Sequence, residues 1–240
     1  MGRPSTRVQL WPVVGRVASF HLSRWPGAAA ALSRLALDRR ALARVPGLEF
    51  WRLLGTGRGS ATAPGADLRR TALFAVWSDE SACRDFCESH PLALEWQGAD
   101  EHWRTMLRSR GGHGTWRGLA VPDVLERGAD AGPLAVVTRA HVRAAAWRPF
   151  GRAGRPVDQS LRDADGLLAV VGIGEAPRGR LGTISLWRSL DHAVAWASNA
   201  APHREAVRRT RAERWYGEEM FARFEPYAST GSWDGRDPLR

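Results

Sequence analysis

Apolar and polar residues alternate along "RVASFHLSRW" (16–25) and again along "LAVVTRAHVRA" (134–144), the two-residue period of a strand with one buried face. After the first of these, "PGAAAALSRLALDRRALARV" (26–45) places its apolar residues at helical spacing. Two short apolar runs then close on Gly-x-Gly: "FWRLLGTGRG" (50–59) with Gly55 and Gly57, and "LAVVGIGEAP" (168–177) with Gly172 and Gly174. "TALFAVW" (71–77) and "GTISLW" (182–187) read as further strands, with Ser78 and Ser189 placed to cap the helices that follow.

These landmarks recur in the same order in the two halves of the chain. Trp77 stands opposite Trp187, Trp103 opposite Trp215, and a Trp-x-Gly step at Trp116 returns at Trp233. Offsets change only where one half has the longer loop, so the pattern predicts a duplicated unit rather than a solenoid. Each unit reads β-α-β-β-α-β, the ferredoxin-like order, with a final strand running through Trp116 or Trp233. The expected fold is therefore α+β, a duplicated ferredoxin-like repeat fused in one chain, with sheets packed face to face around a cavity. Residues 1–15 form an N-terminal extension, 16–122 the first repeat and 123–240 the second.

Composition narrows the classes. The net charge of +10 points first to an anionic partner, but all 35 basic residues are arginine, which fits coding bias, and no standard nucleic-acid motif is present. Nucleic-acid binding is not expected. No apolar stretch is long enough to cross a bilayer and no secretory signal is evident, so a cytoplasmic protein is expected. "MGRPST" fits a myristoylation pattern that is too short to carry weight. Cys83 and Cys87, four residues apart, read as two small buried thiols. Twelve tryptophans suit either a core of large rings or an aromatic pocket. The Gly-x-Gly elements lack the features of a phosphate loop, and no Ser-His-Asp, His-Glu-x-x-His or CxxC pattern occurs.

"RAERWYGEEMFARF" followed by "STGSWDGRDPL", with "VVGIGEAP" and "PGLEFWRLLGTG" upstream, resembles the spheroidene monooxygenase family of carotenoid biosynthesis. The resemblance runs from about Arg16 to the C-terminus and is densest in the last forty residues. It implies a dimeric α+β barrel type of fold and a haem b-dependent monooxygenase that oxidises an acyclic carotenoid with dioxygen and external electrons. An electron donor such as ferredoxin is implied with it. A hydrophobic substrate also makes peripheral association with the inner membrane face an expectation. Relatives of this architecture dehydrate aldoximes or handle peroxide, so two alternatives stay open: haem chemistry on another specialised metabolite, and a cofactor-free ligand-binding barrel.

Such a haem protein needs an axial imidazole. His203, just after Pro202 in "AAPHREAVRR", sits where a helix begins and where the ring is kept neutral, and is the first choice. His192 in "SLDHAVAW" is the fallback. His141, on the strand "VVTRAHVRA", is a distal candidate if its face meets the cavity, and His21 holds the comparable strand position in the first half. His90, His102 and His113 read as surface residues. Arg178 and Arg208 are the partners suggested for haem propionates, and Trp187 and Trp215 the suggested distal walls. The arginine-rich stretch 150–159 has no counterpart in the resemblance and is placed to reshape the cavity mouth.

Overall fold

The computed structural model describes residues 15–59, 65–175 and 179–240; Arg178 and most of the N-terminal extension lie outside them. The chain runs β1 (Val17–Arg24), α1 (Ala28–Leu42), β2 (Leu48–Gly57), β3 (Ala66–Trp77), α2 (Glu80–Ser89), α3 (Pro91–Gln97), β4 (Glu101–Gly114) and a short α4 (Val121–Val124). It continues through β5 (Leu134–Val142), α5 (Trp147–Arg162), β6 (Leu167–Gly174), β7 (Arg180–Trp187), α6 (Leu190–Asn199), α7 (Ala201–Ala212) and β8 (Tyr216–Gly231).

The strands close into an eight-stranded antiparallel barrel in the order β1-β3-β2-β6-β7-β5-β8-β4. Strands of the first half follow one another as β4-β1-β3-β2 and those of the second as β8-β5-β7-β6. The two runs meet along a long seam between β4 and β8, and at a brief one where Gly55 faces Gly174 and Thr56 faces Ile173.

Alternation sends Phe20, Phe74, Phe224, Ala135, Val137, Ile184 and Leu186 into the barrel, where they form a single buried cluster with Trp103, Trp116 and Trp233. Among the described residues the interior is thus filled by side chains, as in other small barrels, in place of the cavity expected from sequence. Two of the tryptophans do this filling from tight turns that follow β4 and β8, rather than from the strands themselves. Trp116 N–H donates to Leu119 O (2.8 Å) and Trp233 N–H to Arg236 O (2.7 Å). The left-handed positions needed between them are taken by Arg117 and Gly118, and by Asp234 and Gly235. Each turn is pinned to the strand across the seam: Gly118 N–H donates to Glu218 Oε1 (2.9 Å) and Gly235 N–H to Glu101 Oε1 (2.7 Å). Trp116 then stacks on Phe74 at 5.1 Å and Trp233 packs on Trp103 at 5.4 Å.

Charges lie under these rings. Arg139, almost wholly buried, pairs with Glu175 (3.3 Å) and Glu218. Glu175 also accepts from Trp116 Nε1 (2.7 Å) and Arg117 Nε (3.0 Å). Burial raises the Glu175 pKa, but those two hydrogen bonds and the nearby guanidinium groups outweigh it and hold the carboxylate below its ordinary value.

Helices cover the outside. In the first half, α1, α2 and α3 bury Ala31, Leu42, Phe86, Leu92 and Trp96 against Val17, Leu73, Ala75 and Trp77 of the sheet. The α2 cap is Asp79, whose carboxylate accepts from Ala82 N–H (2.9 Å), with Ser78 donating to it rather than capping. In α6 the cap is Ser189. Cys83 and Cys87 are buried free thiols.

Two histidines sit beneath α2 and α3 rather than in solvent. His21 is buried, contacts Phe86 and Trp96 edge-on, and bonds through Nε2 to Ser19 Oγ (3.1 Å). His102 is largely covered and bonds through Nδ1 to Ser23 Oγ (2.8 Å). Burial, aided by the charge of Arg104, lowers the His102 pKa to about 4, and His21 shifts in the same direction. Both rings are neutral in the folded chain, whereas an unfolded chain takes up protons below about pH 6.5. Their contribution to stability is therefore complete above pH 6.5 and lost as the pH falls towards 4. The melting temperature is expected to drop steeply between pH 6.5 and 4.5, and His102→Gln to flatten that slope. A melting temperature unchanged down to pH 4.5 would refute it.

Candidate functional site

The helices of the second half seal their sheet poorly. Among α6 and α7 no residue is buried, and α5 buries only Leu161. They touch the outer sheet surface in two places: Leu161, Ala193 and Trp196 meet Val136 and Trp187, and Trp147, Phe150 and Ala153 of α5 pack towards Ala140, Val142 and Leu181. Elsewhere Thr138 and Thr183, on the same outer surface, stay half-exposed. The difference follows from side-chain volume: α2 and α3 offer Phe86, Leu92 and Trp96, whereas α6 and α7 are rich in alanine.

A pocket of about 480 Å³ opens along α7, lined by Ala197, His203, Arg204, Val207, Arg208, Arg211 and Ala212. His203 occupies the first turn of α7, after Pro202, where a missing N–H costs nothing. Its Nδ1 lies 3.1 Å from the carbonyl of Ala197, which fixes that nitrogen as the donor. Nε2 has no hydrogen-bond partner among the described residues. The ring packs against Trp196 at 4.7 Å, and Trp196 in turn against Trp187 at 5.8 Å. Trp196 Nε1–H donates to Ser160 O (3.1 Å), so this residue links α5, α6 and α7 behind the imidazole. Burial lowers the His203 pKa, outweighing the opposing effect of the Ala197 bond, and the ring is neutral near pH 7. A neutral imidazole with a fixed tautomer and one free nitrogen is suited to ligate a metal.

The other sequence-predicted residues are distributed as follows. Arg208 lines the pocket but is engaged by Glu205 through two bonds (2.8 and 2.6 Å). Arg204 and Arg211 line the same pocket and make no ion pair among the described residues. His192 bonds through Nδ1 to its own cap Ser189 (2.8 Å) and lies away from the pocket. His141 is exposed at the end of β5, between Arg180 and Glu218 in register. Trp187 is buried on the sheet, with its N–H on Ser185 (2.9 Å). Trp215 is buried near Phe150, with its N–H on Glu213 (2.8 Å) and Arg209 over its ring. Trp196 and the Ala197 carbonyl are not marked by any sequence pattern, because they reach His203 across the break at Ala200 between α6 and α7.

A second, polar cleft of about 280 Å³ is lined by Arg39, Trp51, Arg52, Leu53, Arg117 and Glu175 and holds neither imidazole nor thiol. Among the described residues no cluster of three or more His, Cys, Asp or Glu is arranged to hold a metal ion. No helix there is long and apolar enough to cross a membrane.

The fold is shared with aldoxime dehydratase, whose crystal structure superposes with a TM-score of 0.58 at 13% identity, over 90% of this chain and 83% of that one. A further aldoxime dehydratase, solved with butyraldoxime, gives the same TM-score at 12% identity. Barrel and curated relatives together place the chain in a class, that of monooxygenases with a closed α+β barrel. The chain belongs to the spheroidene monooxygenase family. It is 31% identical over 229 residues to spheroidene monooxygenase of Rhodobacter capsulatus, covering 93% of this chain and 95% of that protein. It is 33% identical over 192 residues to that of Rubrivivax gelatinosus, covering 80% and 73%. With the Cereibacter sphaeroides enzyme it shares 28% identity over 87% of this chain and 65% of the longer relative. No protein-family model matches the chain.

Proposed function

We propose that this monooxygenase is haem-dependent, binds one haem b through His203 and oxidises a lipophilic substrate of the acyclic carotenoid class. The observation that carries the haem reading is His203 itself: neutral, held by Ala197 O at 3.1 Å, backed by Trp196 and free at Nε2 beside the pocket. The donor set fits, since haem asks the protein for an axial imidazole and cationic partners for two carboxylates. When bound, haem supplies the activation of dioxygen.

The chain's own residues position and exclude. The Ala197 carbonyl and the Trp196 ring hold the plane and tautomer of His203. Burial keeps that ring unprotonated. Arg204 and Arg211 supply fixed positive charge at the pocket, and Arg208 adds to it if it exchanges Glu205 for a ligand carboxylate. Val207, Ala197 and Ala212 give the wall an apolar surface, and Trp187 and Trp215 close the neighbouring parts of the sheet to water. The carotenoid assignment rests on the names of the three relatives. An external donor of the ferredoxin type and a cytoplasmic location complete the reading. The repeated element order supports descent of residues 16–122 and 123–240 from one duplicated ferredoxin-like unit, of which only the second carries the ligand.

The test is turnover by the purified chain supplied with haemin, a reductant and an acyclic carotenoid under labelled dioxygen. A product carrying one labelled oxygen atom is expected. A haem-loaded protein that leaves carotenoids untouched but consumes an aldoxime would replace the substrate class. Turnover without haemin would replace the cofactor.

A further inference from the structure

Helix α5 carries Arg148, Arg152 and Arg155, spaced so that all three fall on one stripe, and each is exposed. Trp147, Phe150, Ala153 and Leu161 occupy the other side, where Phe150 meets Trp215 and Tyr216. From Arg143 to Val157 the sequence contains no acidic residue. None of the three stripe arginines makes an ion pair among the described residues. Gly151 and Gly154 are open, with nothing within 4 Å of a Cβ built there. The solvent surface of α5 is thus low, and the guanidinium groups are what projects from it. Helix α5 packs on α7, which carries His203 and the pocket arginines Arg204 and Arg211.

We infer that the Arg148–Arg152–Arg155 stripe docks the protein on an anionic membrane surface and sets the pocket close to a substrate dissolved in the bilayer. Guanidinium groups match phosphate in planar, two-point geometry. A stripe on a flat helix surface, flanked by the half-exposed Trp147, suits a planar headgroup layer. The choice of a lipid surface rests on the lipophilic-substrate reading above; the charge and shape of the stripe do not.

The test is sedimentation of the full chain with phosphatidylcholine vesicles, with and without phosphatidylglycerol. The chain is expected to sediment with the anionic vesicles alone and to be released by high salt. Arg148→Gln/Arg152→Gln/Arg155→Gln is expected to lower the partition coefficient about 100-fold, with an unchanged circular dichroism spectrum. Arg40→Gln/Arg44→Gln, which removes exposed charge from the α1 end of the first half, is expected to change it by no more than about twofold in total, because charge beyond a Debye length of the headgroups is screened. Equal loss in both variants, or no binding to anionic vesicles, would overturn the proposal. Binding to an acidic electron-transfer protein but not to vesicles would overturn it in favour of a protein partner. Because sedimentation needs no turnover, membrane binding by a chain inactive on carotenoids would leave this surface standing and fault only the substrate reading.

Discussion

His203→Ala, expressed with a haem precursor, is expected to lack the strong Soret band of the parent and to lose turnover with it. The effect is expected to be nearly complete because the pocket on α7 offers a single imidazole. The other histidines are committed or remote. His192 is tied to Ser189, His90 caps α3, His141 lies exposed at the end of β5, His113 stacks on Phe221, and His21 and His102 lie beneath the helices of the first half. His192→Ala should therefore leave the band in place. Exogenous imidazole should restore part of it to His203→Ala, an outcome that separates a missing ligand from a misfolded chain. Trp196→Ala tests the support behind the ligand: the tautomer bond to Ala197 survives, but the ring loses its backing and the tie to Ser160. Haem retention about tenfold weaker, with a shifted Soret maximum, is expected. A band undiminished in His203→Ala would keep haem but transfer the ligand role to another histidine, His192 or His141, and overturn the assignment of His203.

The strands could be read from the sequence because their periodicity is local. In β1 and β7 the inward residues Ala18, Phe20, Leu22, Ile184 and Leu186 are apolar, and alternation alone identifies them. In β5 the inward phase of Ala135 and Val137 continues to the buried charge of Arg139. Helix α5 was hidden for an equally local reason: two glycines and an internal Pro156 in "FGRAGRPVDQ" mimic a loop, and the helix forms because Trp147, Phe150 and Leu161 have tertiary partners. The turn position of Trp116 and Trp233 was concealed because an aromatic ring suits a strand, whereas the left-handed Arg117 and Asp234 are not marked by residue type.

The burial of His21 escaped the same logic. Its phase places it, with Ser19 and Ser23, on the face away from the barrel interior, which in an open sheet would meet water. Here helices cover that face too, so polar phase and burial are decoupled. The pocket was the least legible feature. His203 stood out through Pro202 and the family resemblance, but the space beside it arises from a difference between halves. Phe86, Cys87 and Trp96 fill the first half under its helices, with Trp96 anchored to Asp38 at 2.8 Å. The small residues of α6 and α7 leave room in the second. No single motif encodes that difference; it is a comparison of side-chain volumes across an alignment of helices.

Trp116→Ala is expected to destabilise the barrel by about 3–5 kcal/mol. Trp116 is fully buried, stacks on Phe74 and meets Phe50 edge-on, so truncation opens a void that strands on either side cannot collapse into. It also withdraws the N–H from Glu175, a carboxylate that shares a buried site with Arg139 and Arg52. Trp116→Phe separates the two contributions. A ring remains to stack while the donor is lost, and Arg117 and Arg139 still satisfy Glu175, so the cost should be nearer about 1 kcal/mol. Urea unfolding measures both, with an unchanged slope showing that the unfolded reference has not moved. If Trp116→Ala cost no more than Trp116→Phe, the ring would be a rim residue and closure of that end would rest on the Arg139–Glu175–Glu218 network instead. If it cost the full amount, Trp233→Ala, which faces Trp103 at the other end of the β4–β8 seam, should cost a similar amount. That would make the Trp-x-Gly turn the device by which each half closes the barrel.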